Sequence, residues 1–344
     1  MTEAIIPPPA PARPVAAHCP ALPLRVGTRP SPLALAQTRG VIALLRAACP
    51  ALAAQDALAE CAIRTTGDAV QDRRLAELGG KGLFAKELHA ALAAGQIDCA
   101  VHSLKDLETS LPPGIVLAAT LAREDPRDAL ILPQGAPGPT DPTHPFAVLR
   151  PGAVVGTASL RRQAQLLAAR ADLRVVMLRG NVGTRLDRLA AGAADATVLA
   201  VAGLRRLGLG HRAILAIDPE AMVPAAGQGI VGITVRAADT TLLALFAAIE
   251  DPAARAAATA ERALLGALDG SCRTPIAAYA RAAAPGEGPV REPGGWLLLT
   301  GLLARGDGSY RDQRRITGPV QDAARLGAEL GAALRADAPA DLRA

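Results

Sequence analysis

Short apolar segments alternate with helix-forming segments along most of this chain, and this alternation constrains its fold more than any other feature. LRVGT (24–28) is followed by Ser31 and Pro32, an N-cap residue and a first-turn proline. AVVGT (153–157) likewise precedes SLRRQAQLL, and DATVLAVAG (195–203) precedes another short helical segment. Such alternation is typical of βαβ units with mainly parallel sheets. The sequence therefore predicts an α/β protein.

Length and composition bound the remaining possibilities. At 344 residues the chain is long for one core, so two or three domains are expected. Half of the residues are hydrophobic but only 2% are aromatic, which predicts an aliphatic core and disfavours binding of single-stranded nucleic acid by base stacking. The stretches without charged residues are too short for a membrane span, so we expect a soluble protein with no membrane partner.

The cysteines indicate a reducing compartment. The chain has 5 of them, scattered and without a CxxC pair, which is neither a disulfide framework nor a zinc site. The five histidines also lack paired ligand spacing, and His102 is best explained as a hydrogen-bonded strand residue. Residues 1–23 are rich in Pro and Ala without an apolar signal region, which predicts a disordered extension. A cytoplasmic protein without a metal site is expected.

Arginines gather where the predicted strands end, at positions 29, 161, 162, 179, 185, 205 and 206. Ligands of α/β sheets bind beyond the carboxyl ends of the strands. Arg161 and Arg162 fall in the first turn of a helix, where a cation is disfavoured by up to roughly 1 kcal/mol. An anion bound there would explain the pair, although a solvated surface pair is the alternative.

The type of anion follows from the residues around these arginines. Arginine in place of lysine favours bidentate recognition of carboxylate or phosphate. The segment GGKGLF (79–84) lacks the spacing of a phosphate-binding P-loop. A ligand with several carboxylates therefore fits better.

HSLKDL (102–107) places Lys105 and Asp106 at the carboxyl end of an apolar strand. One interpretation is a polar turn with a local ion pair. The other is functional, because an aspartate among many cations keeps its charge and could hold a protonated amine or stabilise a cationic intermediate.

Cys272 lies in the turn-like segment LDGSCRTPIA (268–277). It could be an incidental small residue, but the adjacent Arg273 favours the thiolate form. No histidine carries a partner motif for a cysteine hydrolase. A lone thiol without a general base suits permanent attachment of a reactive electrophile better than turnover.

Ten ordered motifs together resemble the porphobilinogen deaminase (hydroxymethylbilane synthase) family, from Leu24 to the C-terminus. They are GTRPSPLALAQT, GGKGLFAKEL, AVHSLKD, REDPRDA, VVGTASLRRQ, LRGNVGTRL, VLAVAGLRRLGL, PAAGQG, TAER and LDGSCRTPI. Departures are minor: TTGD (65–68) stands where TRGD is usual, and TASL and TPIA replace TSSL and VPIG. None removes a residue to which chemistry is assigned.

The resemblance implies a specific activity. Family enzymes join four porphobilinogen units head to tail, release ammonia each time through a cationic azafulvene, and produce the linear tetrapyrrole hydroxymethylbilane. They use a dipyrromethane cofactor made from substrate and held by a thioether. Because porphobilinogen carries an acetate and a propionate, the growing chain accumulates carboxylates that an arginine-lined cleft would neutralise.

The resemblance also implies the roles of individual residues. Cys272 would attach the cofactor and Asp106 would be the catalytic carboxylate, also in contact with the cofactor. The other cofactor-binding residues would be Lys105, Ser159, Arg161, Arg162 and Arg185. The substrate-binding residues would be Arg29, Ser31, Arg179, Arg185 and Arg206. Gln37 and Phe84 match positions near the cleft, with a core role for Phe84 equally open.

The family fold implies three domains: two α/β domains like those of periplasmic binding proteins and a smaller α/β C-terminal domain. The expected ranges are 24–121 with 228–247, then 122–227, then 248–344. A monomer without metal is expected. Two other classes stay open at this point, a non-enzymatic anion-binding module and a cysteine-dependent acyltransferase or hydrolase.

Overall fold

The computed structural model describes most of the chain. The described residues are 22–54, 56–69, 82–138, 141–213, 215–268, 274–284, 286–287 and 295–342. Cys272 and its neighbours in the predicted cysteine loop lie outside them, as does nearly all of the predicted disordered extension at 1–23.

Strands and helices alternate as the sequence predicts. The strands are β1 Leu24–Thr28, β2 Leu58–Ala62, β3 Cys99–Ser103, β4 Ile115–Thr120, β5 Asp128–Ile131, β6 Val154–Gly156, β7 Arg174–Val176, β8 Ala196–Ala200, β9 Leu215–Ala216, β10 Val231–Arg236, β11 Ile276–Ala282, β12 Trp296–Ala304 and β13 Arg311–Pro319. The helices are α1 Pro32–Ala48, α2 Thr66–Ala69, α3 Lys86–Ala93, α4 Leu160–Ala169, α5 Val182–Ala190, α6 Val201–Arg206, α7 Thr240–Ala247, α8 Pro252–Ala267 and α9 Ala323–Asp337.

The first compact unit comprises the described residues of 1–70, 82–122 and 231–252. Its sheet has the order β2-β1-β3-β10-β4. β1 runs parallel to β2 and β3, whereas β10 is antiparallel to both of its neighbours. Fully buried aliphatic residues of β1 and α1, such as Leu24, Val41 and Leu45, pack with Phe246 of α7 beneath this sheet. Because β1 and β3 are parallel neighbours, the residues that follow them emerge at one edge.

The second compact unit comprises the described residues of 71–81, 123–230 and 253–344 and contains two sheets. The larger has the order β7-β6-β8-β5-β9, with β6 parallel to β7 and β8 and with β5 antiparallel to β8 and β9. The helices α4, α5 and α6 follow the parallel strands β6, β7 and β8. Three neighbouring parallel strands are therefore each followed by two of the predicted arginines: Arg161 and Arg162, Arg179 and Arg185, and Arg205 and Arg206.

The smaller sheet of the second unit is antiparallel, with the order β11-β12-β13. Leu264 of α8 and Leu330 and Leu334 of α9 pack on it. The α/β class, with two five-stranded sheets and a smaller third one, is confirmed. The expectation of mainly parallel sheets is wrong in part, because β5 and β10 run against their neighbours and the third sheet is antiparallel throughout.

A buried carboxylate links β11 of the smaller sheet to two segments outside the strands, at 123 and at 227–228. Glu261 of α8 is fully buried and accepts hydrogen bonds from the backbone N–H of Gly227 (2.6 Å) and of Ala280 (2.7 Å). Arg123 donates to the same carboxylate from Nη1 at 2.5 Å and to the carbonyl of Gln228 from Nε at 2.9 Å. The ion pair is thus enclosed in a hydrogen-bond network, which offsets the cost of burying its charges.

Candidate active site

A pocket in the first unit lies at the shared edge of β1 and β3. The residues that line it come from the end of β1, the first turns of α1, the segment before α3, and β3 with the turn that follows; they are Arg29, Ser31, Leu33, Ala34, Gln37, Phe84, Val101, His102, Ser103 and Asp106. Three residues assigned from the sequence, Arg29, Ser31 and Asp106, are thereby brought together with both residues that were expected near the cleft.

Arg29 is the centre of the charge arrangement in this pocket. Its Nη1 lies 3.8 Å from Oδ2 of Asp106, whereas its Nε donates to Oδ2 of Asp68 at 3.2 Å. Its Nη2 makes a short hydrogen bond to Oδ1 of Asp68. The guanidinium carbon lies 4.1 Å from the ring centroid of Phe84, which is within the range of a cation–π contact. One cation is therefore held by two carboxylates and an aromatic face.

Asp68 is itself fixed by its own turn. The backbone N–H and the hydroxyl of Thr65 donate to Asp68 Oδ2 at 3.2 and 2.7 Å. Partial burial disfavours the charged carboxylate, but the hydrogen bonds from Arg29 and Thr65 outweigh it and the pKa of Asp68 is lowered. Asp68 is therefore an anion at neutral pH.

Asp106 projects from a short 3-10 turn, Leu104–Asp106, that follows β3 directly. Leu104 is buried and anchors the turn, whereas the Asp106 side chain keeps 32% of its surface exposed. Lys105 lies on the same turn and is exposed. Asp106 thus combines a fixed backbone with access to solvent and ligand.

Neighbouring polar groups fix the shape of the pocket. Ser31 caps α1, since its hydroxyl accepts from the N–H of Ala34 at 3.3 Å, which confirms the predicted helix start. Ser103 donates from Oγ to Gln37 Oε1 at 3.0 Å. His102 lies 2.9 Å from Thr234 Oγ1 through Nε2, so the prediction that it is a hydrogen-bonded strand residue is confirmed.

In the second unit, Arg161 and Arg162 share a carboxylate of the protein itself. Asp128 is fully buried and accepts from Nη2 of Arg161 and from Nη2 of Arg162, each at 2.7 Å. Further donors of these arginines bind the carbonyls of Val223 (2.6 Å) and Val198 (2.8 Å). Burial opposes the charge on Asp128, but the two guanidinium groups prevail and hold its pKa far below its usual value.

Asp128 corrects the reasoning about the helix start. The alternative of a solvated surface pair is wrong, because Arg161 and Arg162 are only 7% and 5% exposed. An anion does lie at the first turn of α4, but Asp128 provides it without any ligand. A role of both arginines in cofactor binding stays a prediction that depends on the family resemblance.

The other assigned residues of the second unit lie in its helices or just before them. Ser159 caps α4 and Arg179 is buried, whereas Arg185 donates from Nε to the carbonyl of Gly180 at 2.8 Å. Arg206 donates from Nη2 to the carbonyl of Gly229 at 2.6 Å, and burial lowers the pKa of its guanidinium. No carboxylate of the described residues lies within ion-pair distance of Arg206, in contrast to Arg205, which pairs with Glu124 at 2.8 Å.

Several residues of these networks were missed by the sequence reasoning. Asp128 and Arg123 belong to REDPRDA and Glu261 belongs to TAER, motifs that were noted without roles for these side chains. An acidic residue at the start of an apolar segment, as in DALIL, was the available signal for Asp128. The partner of each charge lies far away in sequence, so the motifs alone did not reveal it.

Three of the remaining cysteines lie in the part of the chain that the structure describes. Cys49, Cys61 and Cys99 are free thiols, and burial raises the pKa of Cys61 and, more strongly, that of Cys99. The described residues also contain no group of three or more His, Cys, Asp or Glu side chains that could hold a metal ion. None of their helices is long and apolar enough to cross a membrane.

The fold and the pocket define an α/β protein with a carboxylate–guanidinium site at the strand ends. Comparison with known families identifies it further: residues 24–244 match the model for "Porphobilinogen deaminase, dipyromethane cofactor binding domain", and residues 255–336 match "Porphobilinogen deaminase, C-terminal domain". The chain belongs to the porphobilinogen deaminase family.

Curated relatives agree with this assignment over nearly the whole chain. A porphobilinogen deaminase of Paracoccus denitrificans is 48% identical over 93% of this chain and 96% of its own length. One from Sorangium cellulosum is 46% identical over 91% and 98%, and a chloroplastic one from Oryza sativa is 45% identical over 86% and 78%.

Similarity to solved structures is weaker. The periplasmic VFT2 domain of Bordetella pertussis BvgS, as a double mutant, matches 65% of this chain and 84% of its own at a TM-score of 0.38 and 16% identity. An arginine-specific periplasmic binding protein from Salmonella typhimurium matches 66% and 91% at a TM-score of 0.35 and 15% identity. These scores are too low to carry an argument, so the fold is defined here by the sheets themselves.

Proposed function

We propose that this protein condenses four porphobilinogen molecules head to tail, with release of ammonia, to give the linear tetrapyrrole hydroxymethylbilane. Membership of the porphobilinogen deaminase family assigns it this transferase activity. The structural observation that carries the proposal is the partly exposed carboxylate of Asp106, held beside Arg29 at the carboxyl end of β3.

The charge of the pocket suits this chemistry. Asp68 and Asp106 surround a single guanidinium, so the three side chains together carry a formal charge of −1. A protonated aminomethyl group is attracted to such a site, and positive charge that develops as ammonia leaves is stabilised by a fixed carboxylate. Asp106 is the carboxylate with access to substrate. It would accept a hydrogen bond from the protonated amine that leaves as ammonia.

The residues present fit a dipyrromethane cofactor with its carboxylates. Two of the expected contacts, Lys105 and Asp106, lie on the turn after β3 with an exposed and a partly exposed side chain, so both are accessible to a ligand. Cys272 would hold the cofactor through a thioether, with Lys105, Asp106, Ser159, Arg161, Arg162 and Arg185 as its other contacts. When bound, the cofactor supplies the pyrrole carbon to which the first substrate is joined.

The substrate and the growing chain would be held by further guanidinium groups. We assign Ser31, Arg29, Arg179, Arg185 and Arg206 to this role. Arginine suits it because its planar fork binds a carboxylate through two parallel hydrogen bonds. The free thiols of Cys49, Cys61 and Cys99 support a cytoplasmic protein. We further propose that it works as a monomer on small molecules, without a metal, nucleic acid or membrane as partner.

Intact-protein mass spectrometry tests the proposal directly. The purified protein should carry the added mass of a dipyrromethane, and Cys272→Ser should lose it together with ammonia release from porphobilinogen. Cys49→Ser, which removes another thiol that is not fully buried, serves as the matched control and should retain both. An unmodified wild-type mass with reversible anion binding would instead indicate a binding module. An unmodified mass with inactivation by thiol alkylation would indicate a cysteine-dependent transferase or hydrolase.

A further inference from the structure

Arg29 can act on Asp106 or on substrate only if its guanidinium is held in one orientation. We infer that Asp68 is a positioning residue for the reaction, and that it holds Arg29 so that Nη1 faces Asp106. This inference rests on the proposed function. It gives a role to the Thr65–Asp68 turn, whose sequence departs from the usual family motif.

Different nitrogens of the Arg29 guanidinium face the two carboxylates. Nε and Nη2 both bind Asp68, the first at 3.2 Å and the second through the short bond. Nη1, the remaining nitrogen, is the one that lies 3.8 Å from Asp106 Oδ2. A bidentate pair with a carboxylate fixes the plane of a guanidinium as well as its position. Asp68 therefore determines where Nη1 points.

Asp68 is suited to this role because it is held independently of Arg29. Two hydrogen bonds from Thr65, one from the backbone and one from the hydroxyl, bind the carboxylate oxygen Oδ2. Thr65 is itself buried, with 1% of its surface exposed. The buried Thr65 thus fixes Asp68, and Asp68 in turn fixes the orientation of the Arg29 guanidinium. The flexible stem of the arginine does not set this orientation.

Phe84 also supports the Arg29 guanidinium, through the face of its ring. Its ring lies against the Arg29 guanidinium and also against Gly67, where an added Cβ would overlap the ring atoms. The N–H of Gly67 donates to the carbonyl of Leu83 at 2.8 Å, which ties the turn to the segment that carries Phe84. The segment 65–68 therefore supplies the Asp68 carboxylate that binds Arg29 and, at Gly67, the space that the Phe84 ring occupies.

A double-mutant cycle separates positioning from a purely structural ion pair. Asp68→Asn keeps the shape of the side chain but places an amide donor against the donors of Arg29 or Thr65. We expect kcat for ammonia release to fall about 10- to 100-fold, since a misplaced active-site group costs rate on this scale. In an Arg29→Ala background, which lacks the group to be positioned, Asp68→Asn should change kcat less than about 2-fold.

Glu60→Gln is the matched control. It removes a carboxylate that pairs with an arginine of the same unit, Arg39, at 3.1 Å on the surface. We expect no change in kcat, because an exposed pair outside the pocket contributes little. Thr65→Val keeps the backbone hydrogen bond and removes only the hydroxyl one. It should lower kcat in the same direction by about 2- to 5-fold and provides the test if Asp68→Asn does not fold.

The outcomes distinguish this inference from the proposed function. Suppose that the wild type releases ammonia from porphobilinogen, but that the losses of kcat caused by Asp68→Asn and by Arg29→Ala multiply in the double variant. Asp68 then does not act through Arg29, and the inference is wrong. The same conclusion follows if Asp68→Asn lowers thermal stability while kcat stays at the wild-type value. If the wild type itself releases no ammonia, the proposed function fails instead.

Discussion

Nη1 of Arg29 lies 3.8 Å from Oδ2 of Asp106, at the edge where the parallel strands β1 and β3 end. The distance is longer than a hydrogen bond, so the two groups attract each other while Asp106 stays accessible to a further cation. The arrangement makes the Asp106 carboxylate the group in this pocket with the charge, the access and the fixed position that loss of ammonia requires.

Removal of the Asp106 charge should abolish turnover. We expect Asp106→Asn to lower ammonia release more than about 100-fold, because a fixed charge aimed at the reacting centre is worth that much. Asp56→Asn, an exposed aspartate of the same unit, is the control and should leave the rate unchanged. An Asp106→Asn protein with wild-type ammonia release would remove this residue from its assigned role.

Arg206 and Arg205 are adjacent but should differ in their effect on substrate use. Arg206 is partly buried with no carboxylate of the described residues within ion-pair distance, whereas Arg205 is exposed and pairs with Glu124 and Asp125. Arg206→Ala should lower kcat/KM by about 10- to 100-fold, the value of a charged hydrogen bond. Arg205→Ala should stay within about 3-fold of wild type. Equal effects in steady-state kinetics would contradict the assignment of Arg206.

Because of Asp128, the free energy of unfolding should decrease as the pH falls into the acid range. Its folded pKa lies far below the unfolded value of about 4, so its contribution is complete above that value and is lost as the pH falls below it. Asp128→Asn should cost about 3–5 kcal/mol at neutral pH, because it leaves buried cations unpaired. It should also flatten the dependence of unfolding free energy on pH below 4, measured by urea denaturation.

The control for Asp128 is Asp172→Asn, which removes the carboxylate of an exposed pair with Arg170. We expect little change in its urea midpoint at pH 7. If Asp128→Asn unfolds at the wild-type urea concentration, the buried triad does not stabilise the second unit. Loss of the dipyrromethane mass in an Asp128→Asn protein that still folds would support a cofactor role for Arg161 and Arg162.

Two glycine substitutions in the first unit should have opposite effects. Gly67→Ala would place a methyl group against the Phe84 ring and should cost about 1–3 kcal/mol, with a loss of activity as the ring leaves Arg29. Gly40→Ala lies within α1 with no atom near the added Cβ, and should stabilise the protein by up to about 1 kcal/mol. Thermal unfolding and ammonia release measure both, and a stable, active Gly67→Ala protein would contradict the proposed packing.

The start of α4 shows which features of the site can be predicted from the sequence and which cannot. The sequence predicts this helix with two arginines in its first turn, and the family resemblance assigns Ser159 to the site. The sequence leaves a bound anion and a solvated pair as alternatives, whereas the anion is Asp128, at the start of β5 and opposite Ala200 at the carboxyl end of β8. An antiparallel strand brings its amino end to the edge where parallel strands end. Strand direction is not encoded in local periodicity, so this neighbour could not be predicted.

The sequence by itself determined the alternation of strands and helices, the family, and the placement of Arg29 and Asp106 directly after strands, since these follow from local patterns and ordered motifs. Only the tertiary structure decided which anion lies against each cation. Arg29 meets Asp68 across 39 residues and Arg161 meets Asp128 across 33. Ion pairs between residues so far apart depend on sheet order and strand direction, which long-range hydrogen bonding and core packing set together.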